Sequence, residues 1–271
     1  TLDDINKIFG DEVTLIIDGL TKISGVVDAD VSLQAENFRK MILTLSNDIR
    51  VVLIKIADRL DNMRSLQFLT QKKQERIASE TLYLYAPLAH RLGLYSIKNE
   101  LEDLSLKYTE PDTYFDISKK LKETKDNREK YIKKFTRPIK EKLKLENIKC
   151  SIKGRPKSIF SIRKKMIEKE IEFEEVFDKF AIRIIINCNE EKEKELCWKV
   201  YSIVTDFYKP NPDRLRDWIS NMKFNGYESL HTTVMGIDGS WVEVQIRSHR
   251  MDEIAEKGYA AHWKYKENKN S

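Results

Sequence analysis

Long apolar runs, patterned cysteines and a signal peptide are all missing from this 271-residue sequence. No apolar run approaches the ~20 residues of a membrane-spanning helix, so we expect a soluble protein with no membrane partner. The three cysteines, Cys150, Cys188 and Cys197, have neither CxxC nor metal-type spacing, which favours free thiols in a reducing cytosol. The first residues, TLDDINKIFG, are acidic and helix-patterned, unlike a signal peptide. These absences predict a cytoplasmic protein, and a start at Thr1 suggests a piece of a longer chain.

The composition is that of a globular protein with many charges. Apolar residues make up 41% of the chain and charged residues 34%, and no internal repeat or low-complexity tract is present. Because domains usually contain about 100–200 residues, the length predicts two units. The net charge is only +5, but Lys and Arg concentrate in residues 119–149. This stretch is either the solvated side of a helix or a surface for an anionic partner such as a nucleotide, RNA or the ribosome.

The first half of the sequence predicts helices. Strand-like alternation is lacking, and residues 34–46 have apolar positions at i, i+3, i+4 and i+7, which are Phe38, Met41, Ile42 and Leu45. A later helix contains Pro87 and is expected to end near Gly93. The segment EPDTYFD, residues 110–116, has the composition of a turn. A basic helix follows it, and its apolar stripe consists of Ile132, Phe135, Ile139 and Leu143.

The pattern changes to mixed α and β at about Lys149. The segment IKCSIKGRPKS predicts a strand that runs into a turn, and FDKFAIRIIIN predicts a strand rich in β-branched residues. The segment TTVMGIDGSWVEVQIRS predicts a hairpin whose strands join at Asp238 and Gly239.

Two carboxylates in these strands suggest a cation site. Alternation in WVEVQIR places Glu243, Gln245 and Arg247 on one face of a strand, opposite an apolar face. Asp178 stands just before the other strand, and Arg183 lies inside it, where a charge is costly unless it is paired or meets a ligand. Carboxylates from two strands are the arrangement that holds Mg²⁺ between a protein and phosphates.

Basic side chains accompany these acids along the sequence. The segment GRPKSIFSIRKKM contributes Arg155, Lys157, Ser161 and Lys165. The segments RLRDW and MKFNGYESLH add Arg214, Arg216, Lys223, Tyr227 and His231. Each residue alone is weak evidence, because a surface Lys or Arg is usually only solvated. Their concentration beside two strand-borne acids predicts a polyphosphate site, since guanidinium groups bind phosphate oxygens bidentately.

These segments resemble the synthetase domain of the RelA/SpoT homologues, the enzymes that make (p)ppGpp. The resemblance rests on GRPKSIFSIRKKM, FDKFAIRIII, RLRDWISNMKFNGYESLHTTV, EVQIRS and MDEIAEKGYAAHWKYK, which occur in the family's order and spacing. Upstream, QAENFRKMILTLSNDIRVVLIKIADRLDNMRSL resembles the family's hydrolase domain. The resemblance implies an α+β fold: an all-helical truncated HD-type domain at 1–80, connecting helices at 81–118, and a nucleotidyltransferase-like synthetase domain with a mixed sheet at 119–271. It also implies that the start of the hydrolase domain and the C-terminal regulatory domains are missing.

The resemblance further implies transfer of the pyrophosphate of ATP to the 3′-hydroxyl of GDP or GTP, with release of AMP, in the stringent response. By this resemblance Arg155 and Arg183 would sandwich the adenine, while Lys157, Ser161 and Lys165 would hold the ATP phosphates. Asp178 and Glu243 would bind Mg²⁺, and Glu243 would be the base for the 3′-hydroxyl. Tyr227 would stack on the guanine, and the remaining acceptor contacts would be Arg214, Arg216, Lys223, His231 and Gln245. The short motif RLRD is the basic version associated with bifunctional members, but Arg216 stands where Lys is usual, so the choice between GDP and GTP stays open.

The hydrolase half departs from the family pattern. Asp58 matches a ligand of the family's Mn²⁺ site and Asn62 a neighbouring residue, but Asp61 stands where His is usual. The other ligands would precede Thr1, and one carboxylate cannot hold a transition-metal ion. We therefore expect no hydrolase activity from this chain unless the missing residues are restored. Three alternatives to a synthetase stay open: a catalytically silent regulatory or RNA-binding module, a hydrolase-dominant member, and part of a bifunctional enzyme. The full-length protein could associate with the ribosome, and the oligomeric state is open.

Overall fold

The computed structural model describes residues 1–24 and 48–258 of the chain. It divides into two compact units, Thr1–Tyr85 and Ala86–Ser271. The helix predicted over residues 34–46 lies outside the described residues. No helix in the described ranges is long and apolar enough to cross a membrane.

The first unit is helical. Its elements are α1 (Leu2–Ser24), α2 (Ile49–Arg64), a 3-10 turn (Leu66–Phe68), α3 (Gln71–Glu80) and a π-helical turn (Thr81–Tyr85). The side chain of Asp48 caps α2 by accepting a hydrogen bond from the Arg50 N–H at 2.9 Å. The buried face of α2 repeats at helical spacing and comprises Val51, Val52, Ile56, Leu60 and Met63.

The second unit begins with four helices and continues with five strands and three further helices in the described residues. The helices are α4 (Ala86–Arg91), α5 (Tyr95–Thr109), α6 (Pro111–Glu123), α7 (Lys125–Leu145), α8 (Ile159–Lys169), α9 (Glu193–Phe207) and α10 (His249–Lys257). The strands are β1 (Cys150–Pro156), β2 (Phe180–Ile186), β3 (Arg216–Asp217), β4 (Leu230–Met235) and β5 (Trp241–Ser248). Short 3-10 turns lie at Phe173–Glu175, Glu190–Lys192 and Pro212–Arg214.

The helices of the second unit test two predicted boundaries, of which one is wrong and one is confirmed. The turn predicted over residues 110–116 is wrong, because α6 already begins at Pro111. Proline suits the first position of a helix, where its missing N–H is not needed, so a turn-like composition here marks a helix start. The predicted end near Gly93 is confirmed: α4 ends at Arg91, and Gly93 adopts a φ of 74°.

The five strands form one mixed sheet in the order β1-β2-β5-β4-β3. Only β2 and β5 pair in parallel, and the other neighbours are antiparallel. The predicted mixed sheet and the β4–β5 hairpin are therefore confirmed. The register sets Ala181 opposite Glu243 and Arg183 opposite Gln245.

One face of this sheet is covered by helices and forms the main core. The apolar alternates of β2 and β5 pack there against α7 and α9, and Val244 and Ile246 are fully buried. The predicted stripe of α7 is confirmed at Phe135, Ile139 and Leu143, which are buried in the same cluster. Because side chains alternate along a strand, the polar residues of β2 and β5 share the opposite face.

Candidate active site on the polar face of the sheet

A cleft of about 680 Å³ opens over the polar face of the sheet. Its lining includes residues that the sequence singled out in β1, the link to α8, α8 and β5, namely Arg155, Lys157, Ser161, Lys165, Glu243 and Gln245. Helix α5 forms another wall with Ser96, Asn99 and Asp103. Asp103 also accepts the N–H of Phe160 at 2.8 Å, at the first turn of α8. This hydrogen bond joins α5 to α8, the helix that carries Ser161 and Lys165, so the two helices form a continuous wall of the cleft.

Two carboxylates meet at one ammonium group beside this cleft. Lys157 Nζ lies 2.6 Å from Asp178 Oδ2 and 3.2 Å from Glu243 Oε2. Lys165 Nζ contacts the same oxygen of Asp178. Asp178 precedes β2 and Glu243 lies within β5, so the parallel pairing of these strands delivers both acids to one place. The structure confirms the alternation that put Glu243 and Gln245 on the polar face.

The ionisation of these groups follows from burial and neighbouring charge. Burial alone would raise the pKa of the Asp178 carboxyl, but Lys157 and Lys165 hold that pKa below its usual value. Burial acts in the same sense on Glu243, yet hydrogen bonds from His231 and Gln245 and the charge of Lys157 lower its pKa. Burial lowers the pKa of Lys165, and the nearby Lys157 charge lowers it further. Both carboxylates are therefore ionised at neutral pH.

The two acids fit a divalent cation with oxygen ligands. Their oxygens converge on a position that the Lys157 ammonium now occupies, which shows that a positive charge is stabilised there. Among the described residues no group of three or more His, Cys, Asp or Glu could hold a metal ion. A two-carboxylate set suits Mg²⁺, which commonly keeps waters and substrate phosphates as its other ligands. Asp58 lies exposed on α2 in the first unit, outside any such group in the described ranges.

The segment NGYESLHTT, residues 225–233, is the predicted acceptor segment, and its His231 contacts Glu243. Tyr227 Oη lies 2.7 Å from His231 Nε2, and His231 Nδ1 lies 3.3 Å from Glu243 Oε1. Gln245 Nε2 donates to the same oxygen of Glu243 at 2.8 Å. Burial lowers the pKa of His231, so a neutral imidazole bridges the tyrosine and the carboxylate. Gly226, with a φ of 77°, makes the turn before Tyr227, a conformation that glycine adopts without strain.

The four arginines assigned to the site lie in different surroundings. Arg155 lines the cleft. Arg183 is buried, and its Nη1 lies 2.8 Å from Glu256 Oε1 and 3.3 Å from Asp252 Oδ1. Arg214 and Arg216 are exposed.

Neither Arg214 nor Arg216 lines the cleft in this structure. Arg216 Nη1 donates to the backbone oxygen of Asp213 at 2.8 Å, although its backbone pairs with His231 across β3 and β4. The structure thus brings Arg155 to the cleft, covers Arg183 with α10 and leaves the other two arginines at the surface.

Comparison with known protein families covers most of the chain. The family described as "Region found in RelA / SpoT proteins" matches residues 154–270. An "HD domain" family matches residues 1–95.

Through residues 154–270 the chain belongs to the RelA/SpoT family.

Several curated relatives match this RelA/SpoT chain along almost its whole length. It is 46% identical over 274 residues to the GTP pyrophosphokinase of Myxococcus xanthus, and the alignment covers 99% of this chain and 35% of that protein. It is 44% identical over 268 residues to the bifunctional (p)ppGpp synthase/hydrolase SpoT of Escherichia coli K12, and this alignment covers 98% of the chain and 38% of that protein. The chain thus spans little more than a third of the length of these relatives. The solved small alarmone synthetase 1 of Bacillus subtilis, bound to its product pppGpp, is 22% identical to this chain. The two structures align with a TM-score of 0.36 over 52% of this chain and 78% of the synthetase.

Sequence reasoning missed the aromatic side chains of Tyr95 and Trp218, which shape this RelA/SpoT site. The Tyr227 ring is only 8% exposed and meets the rings of Tyr95 and Trp218 edge-on, at 5.4 Å and 5.8 Å between centroids. Lys223 Nζ lies 3.8 Å from the Trp218 ring centroid. Asn225 Nδ2 donates to Tyr95 Oη at 2.9 Å. Trp218 follows the RLRD motif directly, so the sequence contained a signal for it, an aromatic residue next to basic ones. Tyr95 lies at the start of α5, and only the fold brings it to the site.

Proposed function

We propose that this chain transfers the β,γ-pyrophosphate of ATP to the ribose 3′-hydroxyl of GDP or GTP and releases AMP. The observation that carries the proposal is the convergence of Asp178 and Glu243 on one cation, beside Lys165 and at the edge of a nucleotide-sized cleft. Two relatives, a GTP pyrophosphokinase and a bifunctional (p)ppGpp synthase/hydrolase, support the same reaction.

The residues divide between two substrates. Arg155, lining the cleft, and Arg183 would bracket the adenine, because planar guanidinium groups stack on aromatic rings. Lys157, Ser161 and Lys165 would bind the ATP phosphates. Tyr227 would stack on the guanine.

The acceptor's phosphates and ribose would face the remaining side chains, which are Lys223, His231, Gln245, Arg214 and Arg216. The last two lie at the surface, where they would meet the charged 5′ end of the acceptor.

In the proposed reaction the 3′-oxygen attacks the β-phosphorus of ATP. The bond between that phosphorus and the oxygen bridging to the α-phosphate breaks, and AMP leaves with the bridging oxygen. Glu243 takes the proton of the 3′-hydroxyl, a task for which it is ionised and oriented by His231 and Gln245. Asp178 and Glu243 would hold Mg²⁺, which supplies charge neutralisation for the phosphates when it is bound.

A transfer assay tests the proposal directly. The purified chain is incubated with ATP labelled at the γ-phosphate, Mg²⁺ and either GDP or GTP, and the products are separated by thin-layer chromatography. We expect label in ppGpp or pppGpp and stoichiometric AMP. Glu243→Gln should abolish the labelled product, while Glu195→Gln, at an exposed position of α9, should not. A folded chain that binds both nucleotides and transfers no label would instead support the silent regulatory module.

The HD match at residues 1–95 favours a second candidate for the whole protein, a bifunctional synthetase and hydrolase. Asp58 would be one ligand of its Mn²⁺ site, completed by residues outside this chain. Pyrophosphate release from ppGpp in the presence of Mn²⁺, measured on the full-length protein and on this chain, distinguishes the two cases. We expect release from the full-length protein only. We also propose that the full-length protein associates with the ribosome and is located in the cytoplasm.

A further inference from the structure

Two buried guanidinium groups lie side by side on the polar face of the sheet. Arg183 of β2 is 8% exposed and Arg247 of β5 is 1% exposed. In the parallel register Arg247 is opposite Ile185, two residues along β2 from Arg183 on the same face. Two like charges at this depth repel each other, and both are removed from water. Burial, together with the positive charges of Arg247 and Arg155, lowers the pKa of Arg183.

One carboxylate of α10 serves both guanidinium groups. Asp252 Oδ1 lies 2.8 Å from Arg247 Nε, contacts Arg247 Nη2, and lies 3.3 Å from Arg183 Nη1. Glu256, one helical turn later, has its Oε1 2.8 Å from Arg183 Nη1 and 3.5 Å from Arg247 Nη2. Because a buried cation without a counter-charge is strongly unfavourable, these two acids stabilise the pair of arginines.

These ion pairs involve Nη1 of Arg183 and leave two of its other nitrogens without a partner among the described residues. Only Nη1 is bound by α10, and the buried Nε and Nη2 atoms of Arg183 have no hydrogen-bond partner among the described residues. Gln245, opposite Arg183 and lining the cleft, likewise has a buried Oε1 without a partner in the described part of the chain. Buried polar atoms are normally paired, so this edge of the guanidinium is suited to a ligand.

We propose that Asp252 and Glu256 are positioning residues, which together hold Nη1 of Arg183 and so orient the guanidinium for ATP. This inference rests on the proposed function, in which Arg183 meets the adenine. Asp252 itself need not touch the nucleotide, because it acts through the arginine. Helix α10 then belongs to the ATP site, although none of its residues lines the cleft.

Binding of a non-transferable nucleotide tests the inference without requiring turnover. Calorimetry measures the dissociation constant of α,β-methylene-ATP without the acceptor nucleotide, for the unmodified chain and for the Asp252→Asn variant. We expect Asp252→Asn to raise this constant about tenfold or more, since removing one partner of a buried charge pair has large effects. GDP affinity should change less than about threefold. Asp252→Glu, which retains the charge, should recover most of the ATP-analogue affinity.

The control on the same helix is Glu253→Gln. Glu253 pairs with Lys257, one turn further along α10, and its substitution should leave both nucleotide affinities unchanged. Thermal melting of each variant separates loss of folding from loss of positioning. If Asp252→Asn does not fold, Glu256→Gln takes its place, because the Glu256 side chain is 38% exposed. This variant should raise the ATP-analogue dissociation constant in the same direction.

A double-mutant cycle decides whether Asp252 acts through Arg183. If it does, Arg183→Gln combined with Asp252→Asn should bind the analogue no more weakly than Arg183→Gln alone, within about twofold. Multiplicative losses would overturn the inference, as would a folded Asp252→Asn or Glu256→Gln that binds like the unmodified chain. A chain that binds the analogue but transfers no label would overturn only the proposed function, whereas a folded chain that binds no analogue would overturn both.

Discussion

Lys157 binds Asp178 directly, with 2.6 Å between Nζ and Oδ2, and the same ammonium group lies 3.2 Å from Glu243. The lysine ammonium group is therefore held between the two carboxylates. If these carboxylates also bind Mg²⁺, the lysine and the metal ion compete for the same oxygens. The lysine would then be released toward the phosphates when the nucleotide and the metal arrive.

Lys157→Met should separate the competition of this lysine with Mg²⁺ from its binding of the ATP phosphates. Without the ammonium group the carboxylates lose their internal counter-charge, so Mg²⁺ affinity in the absence of nucleotide should increase. Activity should nevertheless fall by roughly 10²–10³-fold, because a phosphate contact is lost. Isothermal titration with Mg²⁺ and the transfer assay measure the two quantities. Lys153→Met, at an exposed position of β1, is the matched control. Unchanged Mg²⁺ affinity would show that the lysine does not compete.

Glu243→Gln should abolish turnover and retain ATP binding. The amide preserves the shape of the side chain but cannot accept the 3′-hydroxyl proton, so we expect a loss of roughly 10²–10⁴-fold in the transfer rate. Single-turnover transfer and calorimetric binding of α,β-methylene-ATP are the two measurements. Near-normal turnover in this variant would remove Glu243 from the role of base.

Two substitutions at Tyr227 should behave differently. Tyr227→Ala removes the ring and should weaken GDP or GTP binding by roughly 1–3 kcal/mol, by analogy with other base–aromatic stacks. Tyr227→Phe retains the ring and removes only the hydroxyl that lies 2.7 Å from His231. Phe should therefore bind the acceptor normally and lower the free energy of unfolding by about 1 kcal/mol. Acceptor titrations and urea unfolding test both statements, and equal acceptor affinity for all three proteins would argue against stacking.

Arg250→Met should destabilise the second unit. Arg250 Nη2 lies 2.5 Å from Oε2 of Glu193, which is 4% exposed, and Arg250 Nη1 lies 2.8 Å from Glu228 Oε2 in the acceptor segment. Removing the guanidinium leaves the Glu193 carboxylate buried without its main counter-charge, at a cost of about 3–5 kcal/mol. Urea unfolding followed by circular dichroism measures this loss.

The double variant of Arg250→Met with Glu193→Gln is the control for that measurement. It should regain part of the lost stability, because no buried charge remains. A loss below about 1 kcal/mol in Arg250→Met, typical of an exposed ion pair, would contradict the burial argument.

The thiol of Cys197 should be unreactive in the folded protein. It is fully buried in α9, and burial raises its pKa to about 12. Since only the thiolate reacts readily, a pH of 8, well below this raised pKa, leaves the group protonated. Iodoacetamide labelling followed by mass spectrometry should modify Cys197 in denaturant and not in its absence. Labelling of Cys197 in folded protein at pH 8 would contradict this expectation.

Periodicity determined the strands and their faces correctly, because each depends on neighbouring residues in the chain. The alternation in β5 placed Val244 in the core and Glu243 on the polar face, and helical spacing placed Phe135 inside. The turn predicted over residues 110–116 failed because proline begins helices as well as turns. Local composition cannot distinguish these two uses.

What the sequence by itself determined is the RelA/SpoT identity, the mixed sheet and which side chains share a face, since these follow from short-range order and motif spacing. Only the tertiary structure decided that β2 and β5 pair in parallel and bring Asp178 and Glu243 to one ammonium group. It also decided that Asp252 covers Arg183, while Arg214 and Arg216 stay at the surface. These contacts join residues distant in the chain, and their register is set by packing of the whole unit, which no local pattern specifies.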